Sequence, residues 1–295
     1  MRYRGRLDGR RPARSLIRVT DTQAPLPLQP TLTRRSLAAL VIGLLLLTVA
    51  GCSSSESSES SSTSSAEASS APTTHPTTTT RPSVPSGAYR EVEFNAQDGA
   101  MRSGRLFGEG AVAVVLSHMG RPGDTQDDWA PFAAELAGHG YQVLTYERRT
   151  ALSEVWLDVL GAAAYLRDNG AERVVAGGAS IGAMASLYAA EQPTSNLDGV
   201  IWLAGIVQGR YTFQQADVAA VGCPMLLMSG DRDRYGAAED ARQLHEWATA
   251  PKQLLIVDSD LHGTDILHEG GTNATELTSA MLSFIDQVAA ESSTC

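Results

Sequence analysis

The chain has 295 residues, 43% of them hydrophobic and only 6% aromatic, and a formal charge of −10. The charge is unevenly spread: residues 1–51 hold nine arginines against two aspartates, Asp8 and Asp21, so the chain from Cys52 onward carries −17. Acidity on that scale argues against nucleic acid or anionic lipid headgroups as partners. In chain order, the first recognisable element is Thr33–Cys52, where Arg34 and Arg35 precede an apolar run from Leu37 to Ala50. At 14 residues the run is shorter than the ~20 needed to span a bilayer. It ends in Val49-Ala50-Gly51 directly before Cys52, small residues that suit a peptidase needing an extended backbone.

This ending resembles the bacterial lipobox, in which the cysteine is diacylated and becomes the new N-terminus. The resemblance implies that residues 1–51 are an export signal and that Cys52 anchors an exported protein to the outer face of the cell membrane. An ordinary cleaved signal with an incidental cysteine is the other reading. Thr33-Arg34-Arg35-Ser36-Leu37 also resembles a twin-arginine motif, and the long stretch before Arg34 fits a start codon further downstream. Residues 52–88 are almost entirely Ser, Thr, Pro, Glu and Ala. With so few apolar side chains the segment is expected to be a disordered tether, and His75 within it a solvated residue.

The remaining 207 residues, 89–295, suffice for one domain. Alternation in Tyr89–Phe94 predicts a half-buried strand, and a second follows at Met101–Phe107 after the turn Asp98-Gly99. Continuous apolar runs predict buried strands at 111–117, 141–146, 174–178, 199–205, 224–230 and 253–258. Between them, helical patterns cover 127–137, 153–168, 181–191 and 237–249, with a terminal helix over 273–290. Strand and helix alternate, so the fold class is α/β, with a mostly parallel sheet covered by helices on both faces and any antiparallel part at the start. Cys223 opens an apolar strand, where a thiol commonly serves as a small buried side chain, and Cys295 ends a polar tail. An exported chain could also join the two, and the pairing stays open.

Function in such a sheet lies at the carboxyl ends of its strands. Four strand ends carry suggestive residues: Ser117-His118-Met119-Gly120, Gly178-Ala179-Ser180-Ile181-Gly182, Gly230-Asp231-Arg232-Asp233, and Asp260-Leu261-His262-Gly263. The order Ser, Asp, His on these strands resembles the α/β-hydrolase family over essentially the whole of 89–295. The resemblance implies Ser180 as nucleophile, held in a tight strand-to-helix turn whose glycines, Gly178 and Gly182, avoid collision with it. His262 would take the serine proton, because imidazole is ordinarily neutral at pH 7, and Asp233 would fix its tautomer. The backbone amides of Ile181 and of Gly120, with Met119 close behind, would form the oxyanion hole.

Rival assignments exist for two roles. His245 falls within a helix and His268 lies six residues past His262; Asp231 competes with Asp233, but the family spacing places the acid three residues after Gly230. Asp265 reads as a loop hydrogen-bonding residue, His118 as a structural histidine, and Trp129, Trp156 and Trp202 as packing residues. The histidines show no metal-binding spacing, and Gly177–Gly182 lacks the lysine of a phosphate-binding loop, so neither metal nor cofactor is expected.

Two departures from the family stand out. Where relatives have Asp-x-Arg-Gly-x-Gly-x-Ser after the fourth strand, this chain has Tyr146-Glu147-Arg148-Arg149-Thr150. Only 18 residues separate Gly205 from Pro224, too few for an inserted helical lid. The site is therefore expected to be open and to accept small-molecule or polymer-borne esters. The chain most resembles small lidless hydrolases related to dienelactone hydrolases, which carry cysteine where this chain has Ser180. A carboxylic ester hydrolase is the expectation. A peptidase or amidase on the same triad, or an inactive hydrolase-fold binding protein on the cell surface, are the alternatives.

Overall fold

A computed structural model of the protein describes residues 87–291 and Cys295. The expectations for the export signal, Cys52 and the tether lie outside the described residues. Eight strands form one sheet in the order β1-β2-β4-β3-β5-β6-β7-β8. They are β1 (Tyr89–Asn95), β2 (Met101–Phe107), β3 (Val112–Ser117), β4 (Gln142–Tyr146), β5 (Arg173–Ala179), β6 (Gly199–Leu203), β7 (Met225–Gly230) and β8 (Lys252–Val257).

β1 and β2 pair antiparallel with Tyr89 opposite Phe107, and β2 runs antiparallel to β4. From β4 to β8 every pairing is parallel. The antiparallel edge thus stands where the alternating pattern ends and the continuous apolar strands begin. Such strands need cover on both faces. On β3, Ala113 and Val115 face one core while Val114 and Leu116 face the other.

The first core receives α2 (Val155–Asp168), α3 (Ile181–Ala190) and α5 (Ala237–Trp247); the second receives α1 (Ala130–Gly138) and α7 (Gly271–Ala290). On α7 the stripe Leu277, Met281, Phe284, Ile285 and Val288 is buried against the sheet. Each such side chain contributes about 1.5–3 kcal/mol on burial. Trp129 and Trp202 are fully buried, and Trp156 packs edge-on to Tyr188 with ring centroids 5.6 Å apart.

Two short helices go beyond the sequence expectation, α4 (Gln215–Ala220) and α6 (Thr264–Glu269). At six residues each they are too short to show an apolar period. The cysteine question is also answered: Cys223 and Cys295 form a disulfide across 72 positions of sequence. The N–H of Cys295 donates to Leu197 O at 2.7 Å, so the terminus is fastened beside the starts of β6 and β7. A cross-link closing a loop of that size stabilises a fold by about 2–4 kcal/mol.

β3 lies between β4 and β5, so the chain leaves β3 to one side and returns on the other. That is the switch point at which strand ends splay and leave room for a ligand.

Candidate active site

Ser180 follows β5 immediately and precedes the first residue of α3. Its backbone is at φ 53°, ψ −118°, a region that costs a non-glycine residue of order 1–3 kcal/mol. The surroundings enforce it. The N–H of Ser180 donates to Leu203 O at 2.9 Å, and its carbonyl accepts from Met184 N at 3.1 Å as the helix begins. A Cβ on Gly178 would lie 2.5 Å from the carbonyl carbon of Gly182, and one on Gly182 would overlap the carbonyl of Ser117. The turn therefore closes against β3 only with glycine on both sides of the serine, two residues away in each direction.

The carboxyl end of β7 bends through Asp231–Gly236, and two aspartates leave it in different directions. Asp231 Oδ1 accepts from Ser259 N at 3.0 Å, which ties the loop after β8 to the loop after β7. Asp233 Oδ2 accepts from Nδ1 of His262 at 2.6 Å, and Oδ1 accepts from Tyr235 N at 2.9 Å. Both side chains of the Asp233–His262 pair are buried, the carboxylate completely. With its acceptors occupied, Asp233 fixes the imidazole so that Nε2 is the nitrogen left for other partners.

His268, His118 and Asp265 are engaged elsewhere. His268 Nε2 donates to the carbonyl of Asp128 at 2.8 Å, and His245 sits half-buried on α5 away from the cavity. His118 Nε2 accepts from Arg148 N at 3.4 Å, within the loops after β3 and β4. Asp265 receives Arg121 through two bonds, 2.5 and 2.9 Å, and Asp124 takes the same guanidinium. Those carboxylates, Asp265 foremost, push the Arg121 pKa up. The clasp joins the loop after β3 to α6.

The loop after β3 is built from inside. Tyr146 OH donates to Ser117 Oγ at 3.0 Å, and Trp129 Nε1 donates to Ser117 O at 3.0 Å. Met119 is buried, whereas Gly120 borders the cavity next to Ile181, whose Cγ2 lies 3.2 Å from where a Gly120 Cβ would stand. Ser180, His262, Gly120 and Ile181 all line one cavity of about 460 Å³. That volume falls within the range of small-molecule sites.

The rest of the lining is largely apolar: Met184 on α3, and Arg121, Leu152, Ile206, Gly209, Arg210 and Tyr235 from the connections, none singled out from the sequence. The 18-residue connection after β6 makes no helical lid, yet it supplies Ile206, Gly209 and Arg210. Tyr235 packs edge-on to the His262 ring, centroids 4.5 Å apart, while staying 47% exposed. Its nearness to Asp233 in sequence was the available signal. Among the described residues, no group of three or more His, Cys, Asp or Glu is placed to hold a metal ion.

No protein-family model and no curated protein matches the sequence. Solved structures match the fold. An esterase from Pyrococcus furiosus superimposes with a TM-score of 0.57 at 15% identity, covering 68% of this chain and 91% of that one. An acylaminoacyl peptidase from Pyrococcus horikoshii gives 0.54 at 16% identity, over 67% of this chain and 41% of that one. A dienelactone hydrolase from Anabaena variabilis gives 0.50 at 19% identity, over 58% of this chain and 86% of that one. The similarity lies in the mixed, mostly parallel sheet and its helices, and the fold is that of the α/β-hydrolases.

Proposed function

We propose that this chain is a serine hydrolase acting on carboxylic esters through an acyl-enzyme. The observation that carries the reading is the 2.6 Å bond from His262 to Asp233 beside a strained Ser180 on the same cavity. In this reading Ser180 Oγ attacks the ester carbonyl and His262 Nε2 takes the hydroxyl proton. The carbonyl π electrons move onto oxygen, and the amides of Ile181 and Gly120 stabilise the oxyanion. Collapse expels the alcohol, which receives its proton from His262. Water, deprotonated by the same imidazole, then attacks the acyl carbon and frees Ser180. The largely apolar lining of the cavity suits acyl groups of small to medium size.

The same proposal places the protein outside the cell on a diacylated Cys52. The Cys223–Cys295 disulfide supports an oxidising compartment. Membrane fractions should yield an N-terminal peptide carrying lipid on Cys52; an intact Met1 peptide would sink the anchor.

The chemistry is tested with a fluorophosphonate probe and a paired ester and anilide substrate. The wild type should be labelled and hydrolyse the ester faster, and Ser180→Ala should do neither. Faster cleavage of the anilide would move the reading to an amidase, and a folded but unreactive wild type would leave only a binding protein.

A further inference from the structure

The loop after β4, Glu147-Arg148-Arg149, is where the sequence leaves the family pattern, and it is anchored heavily. The Arg149 guanidinium bonds Asp98, Glu154 and the buried Asp158, and the Arg149 N–H donates to Asp158 Oδ2 at 2.9 Å. Arg148 therefore rises from a fixed backbone, with its own N–H on His118 Nε2. Its side chain turns back under the loop after β3. There Nε donates to Met119 O at 3.0 Å and Nη1 donates to Arg149 O at 2.9 Å.

Among the described residues, no carboxylate forms an ion pair with Arg148 within 4.0 Å. Partial burial pulls its pKa down. The fields of Asp124, Glu147 and Asp158 reach it from a distance, but both side-chain hydrogen bonds of this half-buried guanidinium go to carbonyls, a costly arrangement that calls for a reason beyond neutralisation.

The reason follows from the peptide it holds. No cis bond occurs among the described residues, so the carbonyl of Met119 and the N–H of Gly120 point to opposite sides of one planar unit. Arg148 lies on the carbonyl side and takes no part in the cavity wall, whereas Gly120 borders the cavity with Ser180 and Ile181. The far side of the peptide, carrying the Gly120 N–H, is thus the side given to the cavity. A cation donating to the carbonyl also polarises the peptide and makes its N–H a stronger donor.

We infer that Arg148 is a positioning residue that holds and polarises the Met119–Gly120 peptide, so that Gly120, not Met119, supplies the second oxyanion donor. This rests on the hydrolase reading of the site. Arg148 touches neither Ser180 nor the cavity, so it acts through Gly120.

The test compares wild type, Arg148→Met and Arg148→Lys on a short-chain ester and on a trifluoromethyl ketone, whose hydrate-like adduct with serine places an oxyanion in the hole. Loss of a whole oxyanion donor costs about 10²–10³-fold in kcat, so loss of its support should cost about 10–100-fold. Arg148→Met is expected to lower kcat by that factor with KM within about twofold, and to weaken the ketone by the same factor. Arg148→Lys, which keeps a charged donor, should recover part of both and also covers the case in which the methionine variant fails to fold. A variant that merely loosened the fold would shift melting and KM without the parallel between kcat and ketone affinity, and that outcome overturns the inference. Folded variants with unchanged kcat beside an active wild type overturn the Arg148 assignment alone. A wild type that neither labels nor turns over ester overturns the hydrolase reading and this inference with it.

Discussion

The cavity has two kinds of wall. On one side stand strand ends, and there each residue is held by several independent constraints. Ser180 is fixed by glycine contacts on both flanks and a backbone bond to β6, and Asp233 has both oxygens engaged. On the other side stand connections. Ile206 and Gly209 belong to a segment that is tied mainly to itself, through Gly209 N to Tyr211 O, Phe213 N to Val207 O and the Gln208–Thr212 bridge. Longer hydrogen bonds are few: Val207 N to Asp240 Oδ2, Tyr211 OH to Leu152 O and Trp156 N to Tyr211 OH. Val207, Tyr211 and Phe213 anchor the segment in the core, while Ile206 and Gly209 face the cavity. Over-determined positions hold the reacting groups, and self-contained segments shape what those groups meet. A change on the first wall should therefore alter rate, and a change on the second should alter choice of substrate.

After the loss of Ser180 itself, the largest effect expected on the strand-end wall comes from Asp233→Asn. Tyr235 N–H needs an acceptor at Oδ1, so an asparagine there must turn its NH2 toward His262. The imidazole would then carry its proton on Nε2, the nitrogen that has to accept one from Ser180. A loss of about 10⁴ in kcat is expected, the size of the same substitution in a serine protease triad. Asp231→Asn touches the loop tie to Ser259 and an exposed pair with Arg232, neither of which reaches His262, and its kcat should stay within about fivefold of wild type. Equal losses in steady-state assays of the two variants would erase the distinction between the aspartates.

The two walls also differ in how far the sequence reveals them. Ser180 and His262 could be placed on one cavity, with Asp233 behind the histidine, because each follows an apolar strand, and glycines mark where the backbone must pass close to another strand. The sheet was legible for the same reason, since continuous and alternating apolar runs distinguish the parallel part from the β1–β2 edge. Gly209, Ile206 and Tyr235 carry no period and no spacing rule, so only the path of the folded chain brings them to the cavity. The Cys223–Cys295 bond is of that kind too: 72 positions of separation say nothing about proximity. Six-residue helices such as α4 fail for want of length.

On the connection wall the sharpest probe is Gly209→Val. A Cβ at Gly209 would meet the ends of Ile206 at 3.0 Å and Met184 at 3.1 Å, flexible tips that yield toward the cavity. The fold should tolerate this, while the space for a substrate shrinks. One methylene in an apolar pocket is worth about 1–3 kcal/mol of discrimination. Activity on hexanoyl relative to acetyl esters should fall about tenfold, with acetyl turnover little changed. An unaltered ratio across a graded ester series would show that this wall does not set acyl choice.

Away from the cavity, Glu191 caps the C-terminal end of α3 and feels Asp217 on α4. Burial, with a smaller push from Asp217, raises its pKa from 4.5 to about 8. Its Oε1 is buried without a hydrogen-bond partner, as suits a carboxyl that folds neutral. The unfolded chain releases this proton near 4.5 and the folded chain keeps it until about 8. Stability from this group is therefore complete below pH 4.5, declines as pH rises, and is gone once the folded carboxyl ionises near 8. Solvent reaches the half-buried group and reduces the effect to about 1 kcal/mol. Glu191→Gln, which cannot ionise, should match wild type at pH 5 and exceed it by that amount at pH 8 in urea unfolding. Curves that run parallel from pH 5 to 8 would mean that Glu191 is already charged in the fold, and that the joint between α3 and α4 does not depend on its proton.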